Sequence, residues 1–284
     1  MAVAASSKGV PTGLHGSSGP HVAADVGQVR LARAGAVATV LLDHPGRMNA
    51  ITVSMWQALA RVFQQLSADA AVRCVVVRGA GGHFAAGADI REFPHVRADA
   101  AGVAAYHRQV LAPALRAVAQ CPHPVLAVIE GVCVGGGLEI ASCCDLRLAQ
   151  RGARFGAPIN RLGFPMAPDE LHGLLRLAGR AVALELLLEG RVFDADEALA
   201  KGLLTRVVEP EALEAECAEM VARLCAGAPQ AARLNKWMIA RLTADAAPLA
   251  DAEWQHFFSY AASRDHQEGV QAFLAGRPPV FTGE

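Results

Sequence analysis

The 284-residue sequence predicts an α/β fold, a βα-alternating core followed by an all-helical C-terminal third. Three observations predict it. Strand-like apolar runs at 74–77 and 125–129 each feed a glycine cluster, apolar residues at helical spacing follow the second cluster, and from residue 167 onward the pattern is almost wholly helical. The sequence reads as a tail over 1–27, a core over 28–210 and a helical region over 211–284.

Taken in order, the tail is rich in Ala, Ser, Gly and His and lacks both a secretory apolar stretch and the repeated Arg of a transit peptide, so it reads as flexible. Residues 29–32 and 36–42 predict a hairpin turning at Ala34-Gly35. Thr52 is placed to cap a helix running to Leu66, with Met55, Leu59, Val62, Phe63 and Leu66 on one face. The strand at 72–78 leads to Gly79, Gly81 and Gly82 and then Ala86-Gly87-Ala88-Asp89-Ile90. After a less periodic stretch, residues 103–119 predict a long helix. The strand at 125–129 is followed directly by Gly135-Gly136-Gly137 and a helix bearing Leu138, Ile140, Ala141 and Cys144. Short strands are expected at 145–149 and 154–155, and an extended piece at 204–208. Asp194 with Glu197, and Asp265 with Glu268, have capping-box spacing, and Gly202 is placed to end a helix. The last four helices fall at 210–226, 230–242, 249–262 and 265–274.

The glycine triplet is where the chemistry concentrates. A helix start leaves backbone N–H groups unpaired, and glycine lets a ligand approach them without meeting a Cβ. Such a place suits a negatively charged oxygen. Two loops of this kind in one domain can bring two donors to one point. Glu139, in the first turn, reads either as a carboxylate favouring the positive end of the helix dipole or as a general acid or base beside that oxygen.

Composition bounds the rest. With 26 Lys and Arg against 27 Asp and Glu, the formal net charge of −1 offers no field for nucleic acid or an anionic membrane. Although 53% of residues are hydrophobic, no apolar run is long enough to cross a bilayer. The seven cysteines are scattered without a C-x-x-C pair, and the ten histidines show no ligand spacing. Reduced thiols, no metal and a cytoplasmic location are therefore expected. Neither glycine loop is a G-x-G-x-x-G nucleotide loop, and no G-x-S-x-G elbow is present.

Several motifs occur in order: His44-Pro45-x-Arg47-x-Asn49-Ala50, Phe84-x-x-Gly87-Ala88-Asp89-Ile90, Gly131-x-x-x-Gly135-Gly136-Gly137-x-Glu139, Cys144-Asp145-Leu146-Arg147, and Gly190-Arg191-x-Phe193-Asp194-Ala195-x-Glu197-Ala198. Together they resemble the enoyl-CoA hydratase/isomerase superfamily, the crotonases, over nearly everything after the tail. The resemblance implies a spiral of ββα turns with a helical C-terminal trimerisation region, assembled as a homotrimer or a dimer of trimers. It implies acyl-CoA thioester substrates, with coenzyme A entering as part of the substrate and no other cofactor. The backbone amides of Ala88 and Gly136 would form an oxyanion hole and Glu139 would be catalytic. Arg47, Ala86, Asp89 and Ile90 would meet coenzyme A. Lys236, Phe273 and Arg277 would either contribute to that site or serve as a solvated charge, a packed ring and a solvated charge, respectively.

One departure stands out. A family hydratase uses two glutamates, and the second falls at Ile159, which has no proton to give. Asp169 and Glu170 follow Pro168 and read either as first-turn helix acids or as a replacement carboxylate, while His172 reads as surface or packing. The leading expectation is 2-enoyl-CoA hydration. Isomerisation, decarboxylation, thioester hydrolysis and non-catalytic acyl-CoA binding stand as alternatives.

Overall fold

A computed structural model describes residues 26–284, so the expectation for residues 1–25 lies outside the described residues. Strands β1 (Gln28–Ala34) and β2 (Val37–Asp43) form the expected antiparallel hairpin, with Ala34 opposite Val37. Strands β3 (Cys74–Gly79), β4 (Val125–Ile129), β6 (Leu146–Gln150) and β9 (Arg206–Val208) add to it in parallel, giving a six-stranded sheet ordered β1-β2-β3-β4-β6-β9. A second sheet is ordered β5 (Val132–Val134), β7 (Arg154–Gly156), β8 (Val192–Asp194). Two isolated bridges, Ile51 with Ala88 and Ala85 with Cys133, tie the loop after β3 to the segment after β2 and to β5.

The glycine triplet does not follow β4 directly. Strand β5 intervenes, and this corrects the sequence reading: a three-residue strand whose partners β7 and β8 lie far along the chain carries no local period of its own. The resulting rhythm is one strand for the large sheet, one for the small sheet and then a helix, as in β4, β5 and α5 (Gly136–Cys143). That is the ββα spiral.

Strand alternation explains how the large sheet is covered on both faces. Val75 and Val77 of β3 and Val125, Ala127 and Ile129 of β4 belong to the main core. That core also takes Met55, Trp56, Leu59 and Phe63 from α1 (Val53–Ala68). The intervening Cys74, Val76, Leu126 and Val128 face a second core with Leu213, Cys217 and Met220 of α8 (Leu213–Ala226). Thr52 caps α1 as expected, its side chain accepting from the Met55 amide.

Short helices α2 (Phe93–Val96) and α3 (Ala100–Ala105) lead into a π-turn, Tyr106–Leu111, which runs on into α4 (Ala112–Ala119). The long helix expected over 103–119 is thus present but widened in its middle. After α5 come α6 (Pro168–Glu189), kinked at Gly179, and α7 (Ala195–Ala200). Beyond β9 the structure is helical, with α8, α9 (Pro229–Ala244), α10 (Asp251–Phe257) and α11 (Arg264–Leu274). No helix among the described residues is long and apolar enough to cross a membrane.

Neither expected capping box closes. Asp194 accepts from the Glu197 amide, but the Glu197 carboxylate is taken by Arg191. Ser263, rather than Asp265, caps α11. Asp265 is buried instead and accepts from the Thr282 and Gly283 amides, while Glu268 pairs with Arg277. In each case a stronger charged or chain-end partner won the side chain. All seven cysteines are free thiols.

Candidate active site

Three segments meet at one cavity. The first is the loop after β3, whose path is fixed by the motif at 44–50. Asn49 is buried in a left-handed conformation, φ +57°. Its amide donates to the carbonyls of Ala80 and His83, and its carbonyl oxygen accepts from the His44 amide. One side chain therefore locks two loops together, which explains why Asn follows Arg47-Met48 in that motif. Next, Ile51 takes the Gly87 carbonyl and offers its own carbonyl to Asp89. A parallel bridge of this kind uses the Gly87 carbonyl and the Asp89 amide on either side of Ala88, leaving the Ala88 N–H directed elsewhere and donating to nothing among the described residues.

The second segment is the start of α5. Gly135 adopts φ +49°, ψ −121°, which an L side chain resists, and Gly137 packs so tightly that a Cβ would stand 2.4 Å from the Ala85 carbonyl oxygen. These glycines turn the chain so that the Gly136 amide, an orphan donor of the first turn, faces the loop of Ala88. A Cβ on Gly136 would lie 3.4 Å from the Ala88 nitrogen, and one on Gly87 3.5 Å from the Gly136 nitrogen. The two amides are therefore about 6 Å apart or less, and both line the same cavity. Trp56 packs beneath them, its Cζ2 2.9 Å from that Gly136 Cβ position.

The third segment is the start of α6, and charge comes from it and from α5. Glu139 is 5% exposed and its Oε2 has no partner. Burial, and secondly the negative charge of Glu170, push its carboxyl well above the usual carboxylate range, partly opposed by Arg97. Glu170, 4% exposed at the third position of α6, turns into the cavity while Asp169 stays exposed. One Glu170 oxygen bonds His107 Nδ1 and the other reaches the Ala167 amide at 3.4 Å. Glu170 is thus a first-turn acid of α6 whose carboxylate also lines the cavity. Ile159, 9% exposed in the 3-10 turn Pro158–Leu162, contributes an apolar wall to the cavity. The cavity volume is about 90 Å³.

Of the expected coenzyme A contacts, Ala86 and Ile90 line this cavity, and Ile90 is exposed. Asp89 is buried and holds Arg91 at 2.6 Å; that contact keeps its carboxyl below the usual range. Arg47 is exposed on the neighbouring turn, where Met48 accepts from the Ala86 amide. Lys236 lies elsewhere, its ammonium on Asp145 at 2.6 Å and on the His123 carbonyl at 2.6 Å. Phe273, 84% exposed, belongs to a separate groove among α9, α11 and the C-terminal segment, with Tyr260 and Phe281. Arg277 is spent on Glu268, and His172 is exposed.

Cys144-Asp145-Leu146-Arg147 is structural. The buried Arg147 guanidinium gathers the carbonyls of Ala141, Cys144, Asp145 and Leu203, and Asp145 accepts from the Val125 amide at 2.7 Å. That clamp sets where α5 ends and β4 begins.

Two residues that act on the cavity carboxyls, His107 beside Glu170 and Arg97 in the wall, escaped the sequence reading. His107 lies in the π-turn, and the signal for it was Pro113: a proline inside a helical pattern removes one backbone donor, and a widened turn just before it absorbs the mismatch. Arg97 closes α2, its guanidinium carbon 3.9, 4.5 and 4.7 Å from the ring centres of Phe93, Tyr106 and Phe164. Nothing in its local sequence marks it. Burial lifts the Tyr106 hydroxyl to about 12, so it stays protonated.

Two free amides, two buried carboxyls and an apolar wall can polarise a carbonyl and move a proton at the carbon beside it. Comparison with known proteins agrees. The family model for enoyl-CoA hydratase/isomerase matches residues 32–284. A short-chain-enoyl-CoA hydratase of Clostridium acetobutylicum is 31% identical over 256 residues, 89% of this chain and 97% of the relative. A crotonyl-CoA hydratase of Syntrophomonas wolfei is 32% identical over 248 residues, 86% and 94% respectively. The crystal structure of an enoyl-CoA hydratase/carnithine racemase from Magnetospirillum magneticum superposes with TM-score 0.88 at 50% identity, covering 90% of this chain and 96% of that one.

Proposed function

Because the chain belongs to the enoyl-CoA hydratase/isomerase family, we propose that it hydrates 2-enoyl-CoA thioesters, using the carboxyls of Glu139 and Glu170 as a pair that carries one proton. The observation behind this reading is that Glu139, buried with a free oxygen, shares its cavity with Glu170 and with two undonated amides.

In this reading the Ala88 and Gly136 amides hold the thioester oxygen as negative charge builds on it; losing one such donor costs about 3–4 kcal/mol of barrier. The conjugated carbon–carbon double bond is polarised towards that oxygen. Water attacks the β-carbon, its proton passes to the ionised carboxyl of the pair, and the protonated carboxyl delivers its own proton to the α-carbon. The pair ends with one proton, as it began. Within the pair the proton belongs to Glu139, which burial and the charge of Glu170 make hard to ionise, and Glu170 is held by His107. Glu170 would then stand in for the carboxylate that Ile159 lacks. Arg47, Asp89, Ala86 and Ile90 would meet the nucleotide part of coenzyme A at the cavity rim.

Assembly as a trimer, or a dimer of trimers, follows from the same reading. It is supported by apolar residues left open on the C-terminal helices, Ile239, Phe258, Phe273 and Leu274 being 64%, 52%, 84% and 79% exposed. Sedimentation of a monomer at micromolar concentration would overturn it.

Product identity tests the reaction. Crotonyl-CoA in ¹⁸O-water should yield 3-hydroxybutyryl-CoA carrying one ¹⁸O at carbon 3. A 3-enoyl-CoA product, free coenzyme A thiol, carbon dioxide, or binding without turnover would each replace hydration with a different chemistry.

A further inference from the structure

Arg97 has no role in the steps above, yet its guanidinium faces the cavity that Glu139 and Glu170 line. Three rings from three separate segments hold it: Phe93 from α2, Tyr106 from the π-turn and Phe164 from the loop before α6. The rings brace one another edge to face, Phe93 with Tyr106 at 6.1 Å and with Phe164 at 5.9 Å. A guanidinium stacked this way keeps its charge and presents its N–H groups in its own plane. Its Nε–H is buried and has no acceptor, and among the described residues no carboxylate lies within ion-pairing distance of Arg97.

Elsewhere the cavity wall is apolar: Ile90, Leu111, Ile159, Leu162 and Phe164. A plain alkyl tail would meet those side chains but would leave the Arg97 charge without a carboxylate. A second carboxylate on the acyl group would supply one, accepting from the terminal nitrogens that face the cavity. The cavity of about 90 Å³ suits a short chain. We propose that the acyl group this site selects carries a carboxylate at its far end, so that the substrate is the mono-thioester of a short unsaturated dicarboxylic acid, with Arg97 as the residue that reads it. This rests on the acyl-CoA reading of the site. The chemistry at the double bond is unchanged, and the distal carboxylate passes through it intact.

A second account would make Arg97 only a counter-charge to Glu139. The two accounts separate in binding, measured without turnover. Titration calorimetry of the full-length protein with glutaryl-CoA and with butyryl-CoA, both saturated and unreactive, should give an affinity for glutaryl-CoA about tenfold or more higher. Arg97→Met should erase that preference while leaving butyryl-CoA binding within about twofold, and Arg97→Lys should restore part of it. Thermal melts of each variant with its parent exclude loss of fold as the cause. Equal affinities in the parent, or an equal loss for both ligands in Arg97→Met, would overturn the assignment of Arg97. If neither acyl-CoA binds, the acyl-CoA reading of the site falls, and the Arg97 inference falls with it.

Discussion

Glu139→Gln is the sharpest single perturbation of the proposed chemistry. The side chain is 5% exposed and Oε2 has no hydrogen bond to lose, so a carboxamide of the same shape fits without opening a cavity. It also removes an ionisable group that burial and Glu170 already disfavour in its charged form. Folding should therefore be unharmed, and the thioester should still dock on the two amides. What disappears is one half of the proton-carrying pair. Loss of general acid–base assistance costs about 10²- to 10⁴-fold in rate, or about 3–5 kcal/mol of barrier. The assay follows the fall in ultraviolet absorbance as the conjugated thioester is hydrated, with a thermal melt of the same sample beside it. The expected result is a kcat lowered by that factor with KM nearly unchanged and a Tm no lower than the parent's. Glu139→Gln with Glu170→Gln should cost little more than the worse single change, because the two act as one unit. A Glu139→Gln kcat within about threefold of the parent, or costs that simply add in the double variant, would refute the reasoning.

Three further outcomes follow from the geometry. The raised Glu139 carboxyl makes the folded protein hold a proton that the unfolded chain has released, so its contribution to stability is complete below the unfolded carboxyl value and is lost as pH rises through the folded one. The Tm advantage of Glu139→Gln over the parent should accordingly widen as pH rises above the ordinary glutamate value of about 4.3, and a constant gap would contradict it. Gly137→Ala drives a methyl to 2.4 Å from the Ala85 carbonyl, at the bridge that steers the Ala88 loop. It should lose about 1–3 kcal/mol in urea unfolding and most of its turnover, and a fully active, equally stable variant would count against the two-loop geometry. Lys236→Met breaks a partly exposed ion pair with Asp145, 19% and 32% exposed at the side chains; about 1 kcal/mol of stability should go, with acyl-CoA affinity unchanged by calorimetry. A tenfold weaker affinity would return Lys236 to the coenzyme A site.

What the sequence announced and what it hid divide along a physical line. The amides of Ala88 and Gly136 were legible because they depend on backbone turns, and Gly87 and Gly135-Gly136-Gly137 write those turns locally, as positive φ at Gly87 and Gly135 bears out. Glu139 was legible for the same reason, placed by counting from the helix start. Strand β5 was invisible because its pairing is settled by β7 and β8, and the capping boxes failed where Arg191 and the chain end competed for the same carboxylates. The charges facing Glu139 were hardest to read. Glu170 looks like an ordinary first-turn acid until a π-turn 63 residues earlier brings His107 against it, and Arg97 has no local mark because its cage is assembled from residues 93, 106 and 164.

That division bears on Ile159. Its position in the turn Pro158–Leu162 still lines the cavity, so its side chain removes a charge from the wall without closing it. In the proposed reaction the carboxylate would come instead from Glu170 at the N-terminal turn of α6, where His107 fixes one oxygen. A carboxylate anchored at a helix start and by a π-turn depends on two elements keeping their register. The residue at 159 needed only its own short turn. Lengthening or regularising the π-turn should therefore damage Glu170 before it damages either amide, since Ala88 and Gly136 are held by β-bridges and glycine turns that α3 and α4 do not supply.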